Sequence, residues 1–207
     1  MFNIKQFDVI PLFASPLAIT KIEDDMSALD SIKLKDFTTT NDSGSEISES
    51  YSILDEFPRE KKIILKHLYD YKNEIFEYRS TQFKMYSSWS TKCKSKTGSD
   101  LHNHTNSIFS AVYYLDDIPP KDGGSLAFSG IGVNKTSYTI MGDRINAFNG
   151  DNFTIQPGKG VLAIFPSYLY HKIEPYFGIN PRYSIAMNFM ADGNIGYGDS
   201  QLGLKIL

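Results

Sequence analysis

Residues 160–171 read Gly160-Val161-Leu162-Ala163-Ile164-Phe165-Pro166-Ser167-Tyr168-Leu169-Tyr170-His171. Residues 181–189 read Pro181-Arg182-Tyr183-Ser184-Ile185-Ala186-Met187-Asn188-Phe189. A short apolar run bounded by Gly and Pro reads as a buried strand. It ends at a turn, and a histidine opens the next extended run. The second stretch opens another strongly apolar strand with an arginine as its first residue. An Arg beside a pocket is a natural partner for a dicarboxylate, because its planar fork pairs with a carboxylate bidentately.

Working outward, further strands are expected at 83–90, 108–115, 126–128, 137–140, 145–148, 160–165, 171–173 and 183–190, separated by Gly, Pro and Asn signals. About eight short strands at regular spacing point to a mainly β fold, a sandwich or jelly roll. Before them, Ile64, Leu68, Tyr71, Ile75 and Tyr78 follow a 3–4 spacing, which predicts one long helix over 58–79 with Pro58 in its first turn. One or two strands broken by Pro11 and Pro16 are expected near the start. Residues 38–50, TTTNDSGSEISES, lack an apolar anchor and read as a mobile loop, a candidate flap over a site.

Only four histidines occur, and two stand one residue apart in Leu101-His102-Asn103-His104. On a strand, residues i and i+2 share a face, so both imidazoles could reach one ion. His171 supplies a distant third ligand, and Arg182 follows eleven residues later. His67 reads as a surface residue on the helix. Trp89 reads as core or pocket wall. Asp100 and Asp116 read as loop and strand-end carboxylates rather than ligands. Cys93 has no histidine beside it in sequence that would support a nucleophile.

His102-Asn103-His104, then Ser107 through the Tyr113-Tyr114-Leu115 strand, then Gly123-Gly124-Ser125-Leu126, resembles the core of the 2-oxoglutarate/Fe(II)-dependent oxygenases of the prolyl-hydroxylase type. Phe165-Pro166-Ser167 through His171, and the strand from Arg182, match that family's distal His and 2-oxoglutarate Arg. The nearest likeness is to a subgroup of marine bacteria and their phages that pairs His-x-His with Phe-Pro-Ser-x-Leu-x-His. The likeness covers residues 82–190 well and the N-terminal third only loosely. It implies a double-stranded β-helix, jelly-roll or cupin-like, with N-terminal supporting helices. It also implies Fe(II) on His102, His104 and His171, with 2-oxoglutarate as co-substrate on Arg182 and Tyr114. Dioxygen and an unknown substrate, small molecule or peptide, would complete the reaction, a C–H hydroxylation that yields succinate and CO2. Ser184, Ala186 and Asn188 should share the Arg182 face and leave room for the co-substrate. His104 departs from the family at large, which has Asp or Glu there; the site becomes one of three imidazoles, a set that also suits Zn²⁺.

At 207 residues the chain suits a single domain over 1–207, with N-terminal elements in 1–81, the jelly-roll core in 82–190 and a tail in 191–207. A net charge of −3 gives no electrostatic reason to expect a nucleic-acid partner. No stretch approaches the ~20 apolar residues of a membrane span. One cysteine and no visible signal peptide suggest a cytoplasmic protein, or a phage product acting in the host cytoplasm. Oligomeric state is open. Two other functions fit parts of the pattern. A three-His zinc hydrolase or lyase would need a nearby carboxylate base. A non-catalytic jelly-roll binding module would leave three His and one Arg without purpose.

Overall fold

Residues 182–191 carry apolar or small side chains at almost every position, which suits a strand covered on both faces. In the computed structural model, which describes residues 2–4, 7–9, 13–39, 43–130, 146 and 149–206, this stretch belongs to the longest strand. Along the chain the strands are β1 (Phe2–Ile4), β2 (Phe7–Val9), β3 (Ala18–Lys21), β4 (Phe37–Thr39), β5 (Glu46–Ser48), β6 (Gln82–Cys93), β7 (Phe109–Tyr114), β8 (Leu126–Ser129), β9 (Asn152–Ile155), β10 (Val161–Pro166), β11 (Tyr170–Ile173), β12 (Arg182–Ile195) and β13 (Leu202–Leu204). Among the described residues there is one α-helix, α1 (Pro58–Glu74), joined by short 3-10 turns of which Ser27–Leu34 and Ile53–Glu56 enter the core.

The large sheet runs β3-β10-β7-β12-β6-β5-β4, with β13 against the far end of β12, and β11-β8-β9 form a smaller sheet. All these pairings are antiparallel, and β1 and β2 form a separate hairpin. This is the jelly roll that the strand spacing predicts.

Alternation sorts the side chains into two cores. Ile185, Met187 and Phe189 of β12 join Phe109, Ala111 and Tyr113 of β7 and Leu162 and Ile164 of β10. On these pack Ile64, Leu68 and Tyr71 of α1, with Leu29, Ile32, Ile53 and Leu54 from the 3-10 turns. The opposite face supplies Tyr114, Ala163 and Phe165, which meet Leu126, Phe128 and Ile155 of the small sheet. A register shift between Asn188 and Phe189 brings Met85 opposite Phe189, so the start of β6 also feeds the helix-side core.

The helix stops earlier than its apolar stripe. It ends at Glu74, Glu77 takes φ 55, and the Tyr78 N–H bonds back to the Lys72 carbonyl, closing the last turn. Ile75 is therefore exposed, while Tyr78 packs its ring against Phe76 and Phe109. The Lys72 ammonium, buried and with its pKa lowered by that burial, donates to Tyr78 O at 2.6 Å and Asn73 Oδ1 at 2.7 Å. It thus fastens the end of the helix.

The expected loop at 38–50 is instead partly sheet. β4 pairs with β5 and β5 with β6, while Ser45 and Ser48 are buried. Backbone pairing to β6 and burial of serine hydroxyls anchor a segment whose composition suggested no anchor. β9, β13 and the 3-10 turns have no clear signal in the sequence. The strand expected at 137–140, and all but Asn146 of the one expected at 145–148, lie outside the described residues.

Leu68 is wholly buried in the helix-side core. Leu68→Ala should cost about 2–5 kcal/mol of folding free energy in chemical denaturation. A loss below about 1 kcal/mol would mean that the helix does not carry this core.

Candidate active site

The segment after β6 carries His102 and His104, and it is held by backbone pairing rather than by a strand of its own. His102 N–H donates to His171 O at 3.0 Å and His171 N–H to His102 O at 2.8 Å, an antiparallel bridge between the two. His104 N–H donates to Ser167 O at 3.0 Å. These three bonds place the pair from the loop against the third histidine, on β11. Their ligand atoms all lie within 4.8 Å of one another, and the Nε2 atoms of His104 and His171 are 3.2 Å apart. Neighbouring ligands on an octahedral ion at roughly 2.1 Å would sit about 3 Å apart.

Tautomers favour the same outcome. His102 Nδ1 lies 2.7 Å from Asp100 O and His171 Nδ1 lies 2.8 Å from Leu169 O. A carbonyl can only accept, so each Nδ1 carries the proton and each Nε2 presents its lone pair. Burial, with the neighbouring His102, pushes the His104 imidazole down to about 4. Burial pushes His171 down to about 3, with His102 and His104 adding to the effect and the Leu169 carbonyl opposing it. Both rings are therefore neutral ligands at neutral pH. The donor set fits a divalent transition metal.

Arg182 opens β12 opposite Cys93 of β6 and is 1% exposed. Among the described residues its guanidinium makes only long contacts, Nη1 to Cys93 Sγ at 3.6 Å and to Ser184 Oγ at 3.5 Å, while Nε and Nη2 have no partner. The guanidinium lies 5.4 Å from the centre of the Tyr114 ring, and the buried Tyr114 hydroxyl also has no partner of normal geometry. Burial pushes that phenol up to about 12 against the opposing pull of Arg182, so it stays protonated and can donate. No carboxylate approaches Arg182 among the described residues.

One cavity of about 320 Å³ is lined by the three histidines, Arg182 and Ser184, with Trp89 in its wall. Ala186 lines it too, whereas Asn188 turns to Ser110, whose hydroxyl reaches its Oδ1 at 2.8 Å. Ser45, Ile47 and Tyr51 also line the cavity, so the 43–51 segment does border a site, as wall rather than loose flap. Those residues and Thr91 escaped the sequence reading. Only pairing across β5 and β6 brings them in. The hydroxyls of Ser110, Ser167 and Ser107 form a chain at 2.8 and 2.9 Å behind the histidines, joining the β7 and β10 ends.

The residues set aside are placed as follows. His67 is half-buried on α1, outside the site. Asp116 accepts the Tyr183 N–H at 2.8 Å and pairs with Lys33 at 2.7 Å, a strand-end carboxylate. Asp100 takes the Ser43 hydroxyl at 2.5 Å. Cys93 is a buried free thiol.

Residues 87–188, from Ser87 on β6 to Asn188 on β12, match the sequence profile of a family described as "Putative 2OG-Fe(II) oxygenase". This core belongs to the 2OG-Fe(II) oxygenases. Both His ligand segments, Tyr114 and Arg182 fall inside the matched stretch. Solved structures share the oxygenase fold at low identity. A Pseudomonas putida prolyl-4-hydroxylase is 15% identical, with 86% of this chain and 94% of that one covered and a TM-score of 0.57. A Trichoplax adhaerens prolyl hydroxylase, solved with a hypoxia-inducible-factor peptide, is 15% identical over 84% and 83%, with a TM-score of 0.60. HygX from Streptomyces hygroscopicus, solved with nickel, 2-oxoglutarate and hygromycin B, is 12% identical over 84% and 82%, with a TM-score of 0.59. No curated protein matches the chain in sequence.

The oxygenase keeps a buried, unpaired guanidinium at a cost to its own stability. Arg182→Met should leave the ligand-free protein at least as stable, with a gain of up to about 4 kcal/mol in denaturant unfolding. A loss greater than about 2 kcal/mol would mean that the guanidinium is satisfied within the fold.

Proposed function

We propose that this oxygenase holds Fe(II) on the Nε2 atoms of His102, His104 and His171 and 2-oxoglutarate on Arg182 and Tyr114, and hydroxylates a C–H bond of a substrate still to be found. The observation that carries this reading is Arg182, buried with unsatisfied donors in the cavity that the three histidines line, and 5.4 Å from the ring of Tyr114, whose buried hydroxyl is also unsatisfied. A dicarboxylate spanning the two supplies what each lacks. Its far carboxylate would accept hydrogen bonds from the guanidinium fork and the phenol O–H, with its other end toward the histidines.

Iron bound there supplies the activation of dioxygen that couples conversion of 2-oxoglutarate to succinate and CO2 with oxidation of the substrate. The chain's own part is positioning and exclusion. Arg182 is fixed at the β6–β12 pairing, so the co-substrate enters in one orientation. Tyr114 donates without ionising, because its proton is held far above neutral pH. Phe165 and Phe128 pack their edges and faces around His171, with ring centres 4.9 and 5.9 Å away, and keep water from that side. Ser184 and Ala186 are small enough to leave the co-substrate its volume.

A zinc hydrolase would use the same three histidines, yet no Asp or Glu lines the cavity among the described residues, so a general base is wanting. A binding module would have no use for a buried, unsatisfied arginine in the cavity that three histidines line.

Adding Fe(II) and then 2-oxoglutarate without oxygen should produce a visible metal-to-ligand charge-transfer band. His171→Ala should lose the band, and Arg182→Ala should weaken 2-oxoglutarate binding by about 100-fold, as two lost charge-assisted bonds would. Tightly held zinc with no such band would move the hydrolase to the front.

A further inference from the structure

Trp89 sits on β6 opposite Ala186, lines the cavity, and has its ring 5.7 Å from that of His104 at a tilt of 34°. Tyr51 follows, 6.2 Å from Trp89 and tilted by 54°. Three rings thus run in a row from the metal-ligand cluster out to solvent, where Tyr51 is 59% exposed. Tyr51 is nonetheless held in place. Its carbonyl accepts the Ser88 N–H at 2.7 Å, and Ser52 bridges Ser88. An exposed aromatic fixed by its backbone, which lines the cavity and sets its ring against that of Trp89, is placed for contact with what enters there.

We propose that Trp89 and Tyr51 form the substrate-docking wall of this cavity, and that the substrate presents to them an uncharged, CH-rich ring rather than a cationic group. This rests on the oxygenase reading for the contents of the inner cavity. Two observations select the charge. First, the lining contains no Asp or Glu among the described residues, and Arg182 is its one fixed charge. A divalent ion on three neutral imidazoles contributes +2, Arg182 +1 and 2-oxoglutarate −2, which leaves the loaded site at +1. Second, the groove that shares Ser99 and Ile173 with the cavity carries Lys96 and Lys172 against one Asp100. A cation entering the loaded cavity meets this net positive charge, and one pair of rings tilted by 54° does not enclose an ammonium. What such a wall can bind is apolar area: the face of a saturated or flat neutral ring.

The chain has a single tryptophan, so emission from Trp89 reports on the wall without a label. The experiment titrates cyclohexanol and cyclohexylammonium, one ring in neutral and cationic form, into the anaerobic protein loaded with Fe(II) and 2-oxoglutarate. Cyclohexanol should give a saturable change in Trp89 emission, and cyclohexylammonium should bind at least about tenfold more weakly. Tyr51→Ala, at an exposed ring outside the core, should keep the fold and lose the cyclohexanol response. In His171→Ala, which should not hold the metal, cyclohexanol should still perturb Trp89. A protein that forms no visible band but keeps this response overturns the oxygenase reading and leaves the docking wall standing. With the band present, an unresponsive Trp89, equal binding of the two rings, or an unchanged constant in Tyr51→Ala overturns the proposal.

Discussion

The two-sided burial of β12 is the constraint on which this structure depends. Its odd-numbered residues from Ile185 to Ala191 belong to the helix-side core, and its even-numbered residues Arg182, Ser184 and Ala186 face the cavity. Because the side-chain period is two, neither set can shift without the other. A slip of one residue would turn Ile185 toward the site and Arg182 into the core against α1. The apolar residues that hold the helix therefore also fix where the guanidinium points. β7 repeats the arrangement next door, with Tyr113 on the helix side and Tyr114 on the site side.

Placing a guanidinium in that position opposes folding. A buried charge without a counter-ion is costly, and among the described residues Arg182 has neither a carboxylate nor complete hydrogen bonding. The cost falls at the end of β12 nearest the site, where the pairing to Cys93 and the neighbouring Ser184 offer only long contacts. The rest of β12 lies in a well-packed apolar core and can carry it. The same division holds for His104 and His171, whose neutrality follows from burial and whose Nε2 atoms face each other across 3.2 Å. Folding has assembled donors and acceptors that are mutually unsatisfied until a metal and an anion arrive.

Much of this was legible in the sequence because it is local. The i, i+2 spacing of His102 and His104, the apolar strand before His171 and the arginine at the head of β12 are each readable within a dozen residues. The helix was readable too, although its stripe continued past Glu74, since periodicity cannot register a left-handed residue such as Glu77. What stayed hidden depends on distant pairing. Residues 43–51 look like loop in composition, and they become a cavity wall only because β5 and the Ser52 bridge attach them to β6, some forty residues later. The serines at 107, 110 and 167 were visible one by one, but nothing in the chain order joins Ser110 to Ser167. Trp89 was readable as core or pocket wall, whereas its alignment with Tyr51 was not.

His104 stands where the resemblance read from the sequence leads one to expect a carboxylate, and it is held differently from the other two histidines. His102 and His171 each give their Nδ1 proton to a carbonyl two residues earlier, a short-range anchor that needs no other element. His104 has no such acceptor among the described residues. It is fixed by its backbone bond to Ser167 and by ring contacts, one with His171 at an interplanar angle of 6° and one with Trp89. A carboxylate here would need no ring partner and would bring a negative charge. An imidazole needs a flat neighbour to set its plane and leaves the metal more positive. The substitution at 104 therefore ties the metal centre to the aromatic wall, because the residue that orients the third ligand is also the one that meets the substrate.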